Sequence, residues 1–364
     1  MSEMTSRQRW LAAIDGKPVD RLPFWPKLDA AYPRAQVAPF NTMTNREIHD
    51  YIGSDKHEWL RAPVRAVRHE CALDVDQTRH QRVSTFRTPI GELRRVEKWD
   101  IASQSFHPVE FPIKSAKDIA VMTAFYADED WELDPKALAT QKADIAALGE
   151  TAVTACTIGQ SPLMHWVEWD AGILNAHLLL ADQEPAVREL FATLSESLLN
   201  KTQLVADHAV GDLYYYIENT STSLISPKQY IDHCLGFITA VGEILGSRGK
   251  RFALHMCGTL FDLLPTLADV PAVAFEAYSS PPVGNTRYVD GKTTCPDKCL
   301  IGGTNATLWM QSPQEIVSEI EHDLSVLPDH RRIAVTSAGV MPPICPPDVI
   351  REVCSWVKSY SPRA

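Results

Sequence analysis

Eight short apolar runs alternate with longer amphipathic segments along the whole chain. The runs cover residues 22–25, 58–61, 151–158, 213–218, 251–257, 272–277, 299–303 and 333–338. Most are apolar throughout instead of alternating with polar residues, which is typical of parallel strands that are buried on both faces. We therefore predict an α/β fold, a (β/α)₈ TIM barrel. A doubly wound open sheet is the alternative, but no glycine-rich dinucleotide motif follows any of the runs.

One segment departs from this alternation. Residues 80–112 alternate polar and apolar side chains and contain the turn sequence Pro89-Ile90-Gly91. A period of two with a turn inside it predicts an antiparallel β-hairpin, which we place as an insertion in the barrel. Neither an internal repeat nor a low-complexity tract interrupts the remainder, so we expect residues 1–364 to form a single domain.

Composition narrows the class of protein. The formal net charge is −11 and the basic residues are not clustered, which argues against a nucleic-acid partner. No stretch approaches the roughly 20 apolar residues of a membrane span, and we expect no membrane partner. Eight cysteines without regular spacing do not resemble a secreted disulfide framework. We therefore expect a cytoplasmic protein with reduced thiols, which are then free to bind a metal.

Polar residues collect at the carboxyl ends of several runs, where barrel enzymes carry their catalytic groups. The fifth run ends in His255-Met256-Cys257, whose first and third side chains leave the same face of a strand. Glu276 lies at the end of the sixth run, and Glu218 with Asn219 at the end of the fourth. An apolar core would not need polar groups at these positions.

His255 and Cys257 have two interpretations. A His-x-Cys pair on a buried strand is more often part of the packing than a metal site. Imidazole and thiolate are, however, ordinary zinc ligands, and Cys345 beyond the eighth run offers a third ligand at the same end of the barrel. We therefore predict a zinc site, and we regard the pair Cys295 and Cys299, before the seventh run, as structural or incidental.

Several segments carry a resemblance to a known family. They are SRQRWLAAIDGKPVDRLPF, RTPIGELRR, SPKQYIDHCLGFITAVGEILGSRGKRFALHMCG and MPPICPPDVIREV. Together they resemble the uroporphyrinogen decarboxylase superfamily, and within it the zinc-dependent methyltransferases typified by methylcobamide:coenzyme M methyltransferase. The decarboxylases carry an arginine-rich segment after the first strand. Here that place reads WPKLDAAYPRAQ, without matching arginines, which disfavours decarboxylation of uroporphyrinogen.

The resemblance implies a set of zinc ligands. His255 and Cys257 match the family's His-x-Cys, and Glu276 falls where the family has an acidic residue that can occupy the fourth position. The family's last zinc cysteine is replaced by Gly339, and we expect Cys345, six residues later, to substitute for it. Glu276 and Glu218 are the predicted catalytic carboxylates.

The activity that the resemblance implies is transfer of a methyl group between a corrinoid and a small molecule. The acceptor or donor would be a thiol such as coenzyme M, tetrahydrofolate or a methylated substrate. Because the chain has no Asp-x-His-x-x-Gly corrinoid motif, the corrinoid would be carried by a partner protein. Two other activities stay open, a metal-free barrel that binds a tetrapyrrole and a zinc-thiolate alkyltransferase that opens an epoxide. A homo-oligomer also stays open.

Five further residues are predicted to bind the small-molecule substrate, because they follow the strands at the same end of the barrel. They are Trp25, Asp29, Asn219, Asn305 and Tyr278. For the loop that holds Trp25 and Asp29, an ordinary solvated loop is the equal alternative.

Overall fold

A computed structural model describes residues 3–29 and 31–363 of the chain. Its centre is a sheet of eight parallel strands, in which hydrogen-bonded neighbours follow the order β1-β8-β7-β6-β5-β4-β3-β2. The strands are β1 (Phe24–Trp25), β2 (Lys56–Arg61), β3 (Ala152–Gly159), β4 (Leu213–Ile217), β5 (Arg251–His255), β6 (Ala274–Tyr278), β7 (Cys299–Gly303) and β8 (Ile333–Thr336). Each of the eight predicted runs overlaps one of these strands, so the predicted barrel is confirmed.

Asp55 closes the barrel between β1 and β2, which do not form a regular ladder. Its backbone N–H donates to the carbonyl of Phe24 at 2.9 Å, and its carboxylate accepts from the N–H of Phe24 at 3.0 Å. The same carboxylate binds the guanidinium groups of Arg9 and Arg21 and is 1 % exposed. One buried side chain thus replaces the missing strand pairing.

Side chains alternate between the inside of the barrel and the layer of helices around it. In β4, Leu213 and Tyr215 belong to the inner cluster, whereas Tyr214 and Tyr216 pack in the outer one. Trp10, from the first helix, also belongs to the inner cluster. The interior is therefore a packed core and not a pore, which is why both faces of each strand had to be apolar.

The insertion lies between β2 and β3 and is larger than the predicted hairpin. The strands Gln81–Thr88 and Gly91–Asp100 pair antiparallel across the turn at Pro89 and Ile90, as the sequence predicts. Ser105–Glu110 extends this pair on one side and Ala72–Gln77 on the other, which gives a four-stranded antiparallel sheet. The strands Val64–Val67 and Asp130–Leu133 form a separate antiparallel pair.

Helices cover the outside of the barrel. The α-helices are Ser6–Ile14, Ala31–Ala35, Asn45–Ile52, Ala116–Ala127, Pro135–Leu148, Pro162–His165, Ile173–Asp182, Glu184–His208, Pro227–Tyr230, Gly236–Gly246, Leu264–Leu267, Tyr288–Thr294, Pro313–Ser325 and Pro347–Ser359. Trp166–Asp170 and Ile231–Leu235 are π-helical turns, and short 3₁₀ turns lie at Phe40–Thr42, Phe261–Leu263 and Leu308–Met310. Within the described ranges, no helix combines the length and the apolar character that crossing a membrane requires.

Candidate active site

The core of the site is a buried cluster of charged and polar groups at the carboxyl ends of neighbouring strands. His255 ends β5 and lies directly opposite Glu276 of β6 in the strand register. Nδ1 of His255 contacts the carboxylate of Glu276, and Nζ of Lys27 donates to Glu276 Oε1 at 3.0 Å. The same ammonium lies 3.4 Å from His255 Nδ1. Lys27 comes from the loop after β1, so three strands contribute to the cluster.

Burial and charge act in opposite directions on this cluster. Burial disfavours a charged imidazole, but the Glu276 carboxylate outweighs it and raises the pKa of His255. Burial also disfavours the Glu276 carboxylate, and the positive charges of Lys27 and His255 overcome it and lower the pKa of Glu276. Glu276 is therefore a carboxylate at neutral pH although it is fully buried.

Cys257 follows on the loop after β5, and a glycine holds that loop in place. Gly258 has φ +100°, and a Cβ at that position would lie 2.7 Å from Cβ of Ser221. Only glycine allows this close approach. The loop presents the Cys257 thiol to Oδ1 of Asn219 at 3.6 Å, and the thiol also helps to raise the pKa of His255. Of the eight cysteines, Cys257 alone is not buried.

Asn219 connects Cys257 to a second carboxylate. Nδ2 of Asn219 donates to Glu168 Oε2 at 3.0 Å, and the side-chain amide of Gln160 donates to the same oxygen. Asn219 has φ +46°, in the left-handed region that asparagine tolerates better than most residues. Glu168 and Gln160 thus fix the orientation of the amide that faces the thiol.

The backbone is strained at this end of the barrel. Besides Asn219, Ala277 in β6 has φ +63° and Ala338, just after β8, has φ +62°. A left-handed alanine costs about 1–2 kcal/mol, and such strain is concentrated at functional sites in proteins. The three positions lie where β4, β6 and β8 end, around the same mouth.

Aromatic rings form the floor of the mouth. The imidazole of His57 stacks on Trp25 with 4.3 Å between ring centroids, and Trp59 packs edge-on against His57 at 4.6 Å. Nζ of Lys27 lies 5.8 Å from the ring centroid of Trp25 and 6.0 Å from that of Trp59. Trp59 is 40 % exposed. Sequence reasoning missed Trp59, although its spacing of two from His57 puts both on the inner face of β2.

Two cavities lie next to Asn219, and the side chains of Glu168 and Asn219 line both of them. One, of about 450 Å³, is mainly apolar and includes Cys257, Phe111 and Ile173 in its wall. The other, of about 500 Å³, lies at the ends of β2, β3 and β4 and is more polar. A small molecule that fills either cavity would therefore lie beside Asn219.

Comparison with known proteins identifies the family. Residues 164–360, more than half of the chain, match the family described as uroporphyrinogen decarboxylase (URO-D). The chain belongs to the uroporphyrinogen decarboxylase family. Among solved structures, the fold of this family member is similar to that of a methyltransferase from Methanosarcina mazei, with a TM-score of 0.59 and 13 % sequence identity. The match covers 98 % of this chain and 99 % of the other. No curated protein sequence matches the chain.

The structure does not bring Cys345 to the other zinc ligands that the family resemblance implies. Its side chain is 1 % exposed and packs in the outer core, and burial raises the pKa of its thiol to about 12. Its carbonyl accepts a hydrogen bond from the Tyr32 hydroxyl at 2.6 Å, which ties this segment to the helix layer. Cys345 therefore does not take the place of the family's last zinc cysteine in this arrangement.

Glu218 and Tyr278 lie on the outer side of their strands. Glu218 Oε1 accepts from the backbone N–H of Ser161 at 2.6 Å, and burial raises the pKa of Glu218 to about 7. Tyr278 is buried in the outer core, where its hydroxyl donates to the carbonyl of Arg287 at 3.1 Å. Neither side chain contacts the cluster of His255, so both lie apart from the site for which they were predicted.

The remaining predicted substrate ligands are occupied by the protein itself. Asp29 Oδ1 accepts from the N–H groups of Ala31 and Tyr32, at the start of the helix Ala31–Ala35. Asn305 is 3 % exposed; its Nδ2 donates to Ser280 Oγ in the loop after β6, and its Oδ1 accepts from the backbone N–H of Thr307 in the loop after β7. Trp25 is 3 % exposed and forms the floor of the mouth. Of the five, Asn219 is the one that faces both cavities.

The donor set of the site fits zinc in its chemistry but is not arranged around a metal position. His255, Cys257 and Glu276 supply the nitrogen, sulfur and oxygen donors that zinc accepts, and they are neighbours at one mouth. Among residues 3–29 and 31–363, no three histidine, cysteine or acidic side chains are placed to hold an ion. The ammonium of Lys27 supplies the positive charge at Glu276 instead.

Proposed function

We propose that this member of the uroporphyrinogen decarboxylase family is a zinc-dependent methyltransferase. It would transfer a methyl group between a corrinoid, carried by a separate protein, and a small molecule. The observation that supports this proposal is the pairing of an accessible thiol, Cys257, with His255 and Glu276 at the carboxyl end of the barrel. The similarity in fold to a methyltransferase agrees with it.

The residues that would hold zinc are His255, Cys257 and Glu276. When bound, zinc would lower the pKa of a thiol substrate and keep it as a thiolate, the form that attacks a methyl group. Glu276 orients the imidazole of His255 through Nδ1, and Lys27 keeps Glu276 ionised by compensating its buried charge. Lys27 and His255 thereby keep Glu276 as the carboxylate, the form that can bind a cation.

Asn219 and the aromatic floor complete the site. Asn219 accepts a hydrogen bond from Cys257 and is itself held by Glu168, so the thiol is fixed beside the residues that line both cavities. The rings of Trp25, which is 3 % exposed, and Trp59 have their centroids 5.8 and 6.0 Å from Nζ of Lys27 and displace water on that side of the charged cluster. Lower water content strengthens the electrostatic interactions of the groups that line the site.

The corrinoid is expected on a partner protein, because the sequence lacks the Asp-x-His-x-x-Gly motif. The wall of the cavity beside Cys257 includes Pro108 of the inserted sheet and Ile173, which is the first residue of the helix Ile173–Asp182 and is 55 % exposed. An apolar surface of this kind suits a large, flat cofactor that approaches from another protein. The chain alone should accordingly bind cobalamin weakly.

Metal analysis provides the direct test of the proposal. We expect about one zinc ion per chain after purification and dialysis, and we expect Cys257→Ala and His255→Ala to lose it. Cys354→Ala is the matched control, since Cys354 is a buried cysteine on the outer helix Pro347–Ser359 and should retain zinc when replaced. A metal-free wild-type protein that zinc does not bind would refute the proposal and favour the tetrapyrrole-binding alternative.

An activity assay follows from the same proposal. Methylcobalamin or a methylated corrinoid protein is mixed with a panel of thiols, coenzyme M included, and with tetrahydrofolate. Loss of the methyl–cobalt absorbance in the presence of one acceptor, and its absence in Cys257→Ala, is the expected result. Equal rates for the wild type and Cys257→Ala would show that the thiol has no part in the transfer.

A further inference from the structure

A cavity of about 500 Å³, called the polar cavity because its wall is more polar than that of the cavity beside Cys257, lies next to the proposed methyl-transfer site. Its wall is formed by the carboxyl ends of β2, β3 and β4, by the inserted strand Asp130–Leu133 and by the long helix Glu184–His208. A cavity of this size accommodates an organic molecule of moderate size. Its lining differs from that of the apolar cavity beside Cys257, because it contains two cationic side chains, Arg61 and Lys201.

Lys201 has no counter-charge in the described part of the chain. Its Nζ lies over the ring of Trp131, 4.3 Å from the centroid, and the Cys156 thiol is the only titratable neighbour that affects its pKa. Burial lowers the pKa of Lys201 to about 8, so the amine still carries its proton at pH 7. A partly buried ammonium without a carboxylate is costly unless an anion accompanies it.

The second cation, Arg61, also has no close carboxylate partner among the described residues. Arg61 ends β2, is 76 % exposed in its side chain, and its nearest carboxylate, that of Asp134, is 4.0 Å away. The cavity also contains the carboxylate of Glu168, but the amides of Gln160 and Asn219 already bind it. Because Glu168 and Asn219 also line the Cys257 cavity, they mark the side of the polar cavity that adjoins the thiol.

Two tryptophans line the same cavity. Nε1 of Trp131 donates to Ser197 Oγ at 2.9 Å, which fixes the plane of its ring. Trp169 lies beside the guanidinium of Arg95, with 5.4 Å between the guanidinium carbon and the ring centroid. Indole rings bind flat groups by stacking and edge contacts. The cavity therefore combines a cationic part and an aromatic part.

We infer that this cavity binds the small-molecule substrate, and that the substrate is a flat organic carboxylate. Its carboxylate would pair with Lys201 and Arg61, and its flat part would contact Trp131 and Trp169. The remaining end would extend past Asn219 toward the thiol of Cys257. The assignment of this ligand as the substrate rests on the proposed function, whereas the binding itself does not.

Calorimetric titration with benzoate tests the inference. Benzoate has the charge and the flat ring, benzamide keeps the ring without the charge, and cyclohexanecarboxylate keeps the charge without the flat ring. We expect benzoate to bind the wild-type protein, and the other two probes to bind about tenfold more weakly or worse, because each loses one of the two interactions. No binding of benzoate, or equal binding of benzamide, would overturn the inference.

Two substitutions at position 201 locate the site. Lys201→Gln removes the charge and should weaken benzoate binding about tenfold, whereas Lys201→Arg should retain most of it. Lys142→Gln is the matched control, because Lys142 is exposed on the helix Pro135–Leu148 and lies outside the cavity. Unchanged binding in Lys201→Gln would overturn the inference. If Lys201→Gln does not fold, Lys201→Arg provides the test. Loss of benzoate binding in Lys201→Arg would then overturn the inference.

Titration of the chelator-treated protein separates this inference from the proposed function. Benzoate binding that persists without metal, in a protein that also fails to bind zinc, would refute the methyltransferase proposal and leave the carboxylate site intact. Zinc binding and thiol methylation without any benzoate binding would refute the carboxylate site and leave the methyltransferase proposal intact.

Discussion

Replacement of Lys27 by methionine removes the counter-charge of a carboxylate that is fully buried. Nζ of Lys27 is 3.0 Å from Glu276 Oε1, and the two side chains are 15 % and 0 % exposed. With an effective dielectric constant of 20, the attraction at that distance is about 5.5 kcal/mol. Removal of one partner of a buried pair typically costs about 3–5 kcal/mol. Because His255 still contacts Glu276, we expect Lys27→Met to lower the free energy of unfolding by about 3 kcal/mol at pH 7.5.

The pH dependence of this loss follows from the direction of the Glu276 pKa shift. The pKa of Glu276 is lowered to about 2 in the fold, so its pairing stabilises the protein fully above its unfolded pKa of about 4.3 and is lost progressively as the pH falls from there toward 2. The difference between wild type and Lys27→Met should therefore be full at pH 7.5 and smaller at pH 4. Urea unfolding followed by circular dichroism, with a chelator present to exclude metal, measures both values.

A double-mutant cycle assigns the loss to the pair. Glu276→Gln removes the charge that Lys27 compensates, so Lys27→Met should cost much less in that background, with a coupling energy of about 2 kcal/mol. Lys142→Met, on the exposed helix Pro135–Leu148, serves as the control and should change stability by less than about 0.5 kcal/mol. Exposed ion pairs contribute about 1 kcal/mol or less to the free energy of unfolding. A decrease of less than about 1 kcal/mol in Lys27→Met at pH 7.5, or a decrease at pH 4 equal to that at pH 7.5, would therefore refute the reasoning.

Three further substitutions test other parts of the structure. Burial raises the pKa of Glu218 to about 7, so ionisation destabilises the fold as the pH rises from about 4.3 toward 7. Glu218→Gln should gain stability relative to the wild type between pH 5 and pH 8 in urea titrations, and a constant difference would contradict this. Asp55→Asn should cost about 3–5 kcal/mol, because it leaves the buried Arg9 without full compensation where the barrel closes. A loss below about 1 kcal/mol would show that β1 and β2 are held by other contacts. Cys345→Ala should lower stability by about 1 kcal/mol and retain zinc, whereas loss of zinc would restore Cys345 as a ligand.

The barrel and the position of His255 at the end of β5 could be predicted from the sequence, because strands with two buried faces are apolar throughout. Cys257 lies beyond the end of that strand, so its position depends on the loop contacts at Gly258 and Asn219 and not on strand periodicity. The hairpin around Pro89 and Gly91 was visible as well, since its side chains alternate. The strand Ala72–Gln77 was missed, because its apolar alternation is limited to Leu73 and Val75, and all six of its residues are exposed.

The partners of the site residues were decided by the tertiary structure alone. Lys27 and Glu276 are 249 residues apart, and nothing in either segment indicates that a cation from the first loop compensates the carboxylate in the sixth strand. Cys345 is close to the end of β8 in sequence, but its side chain packs into the outer core and not at the site. Periodicity determines which face a strand residue occupies. The path of a loop after a strand depends instead on distant contacts, such as that between Tyr32 and the carbonyl of Cys345, and these form only when the whole barrel is assembled.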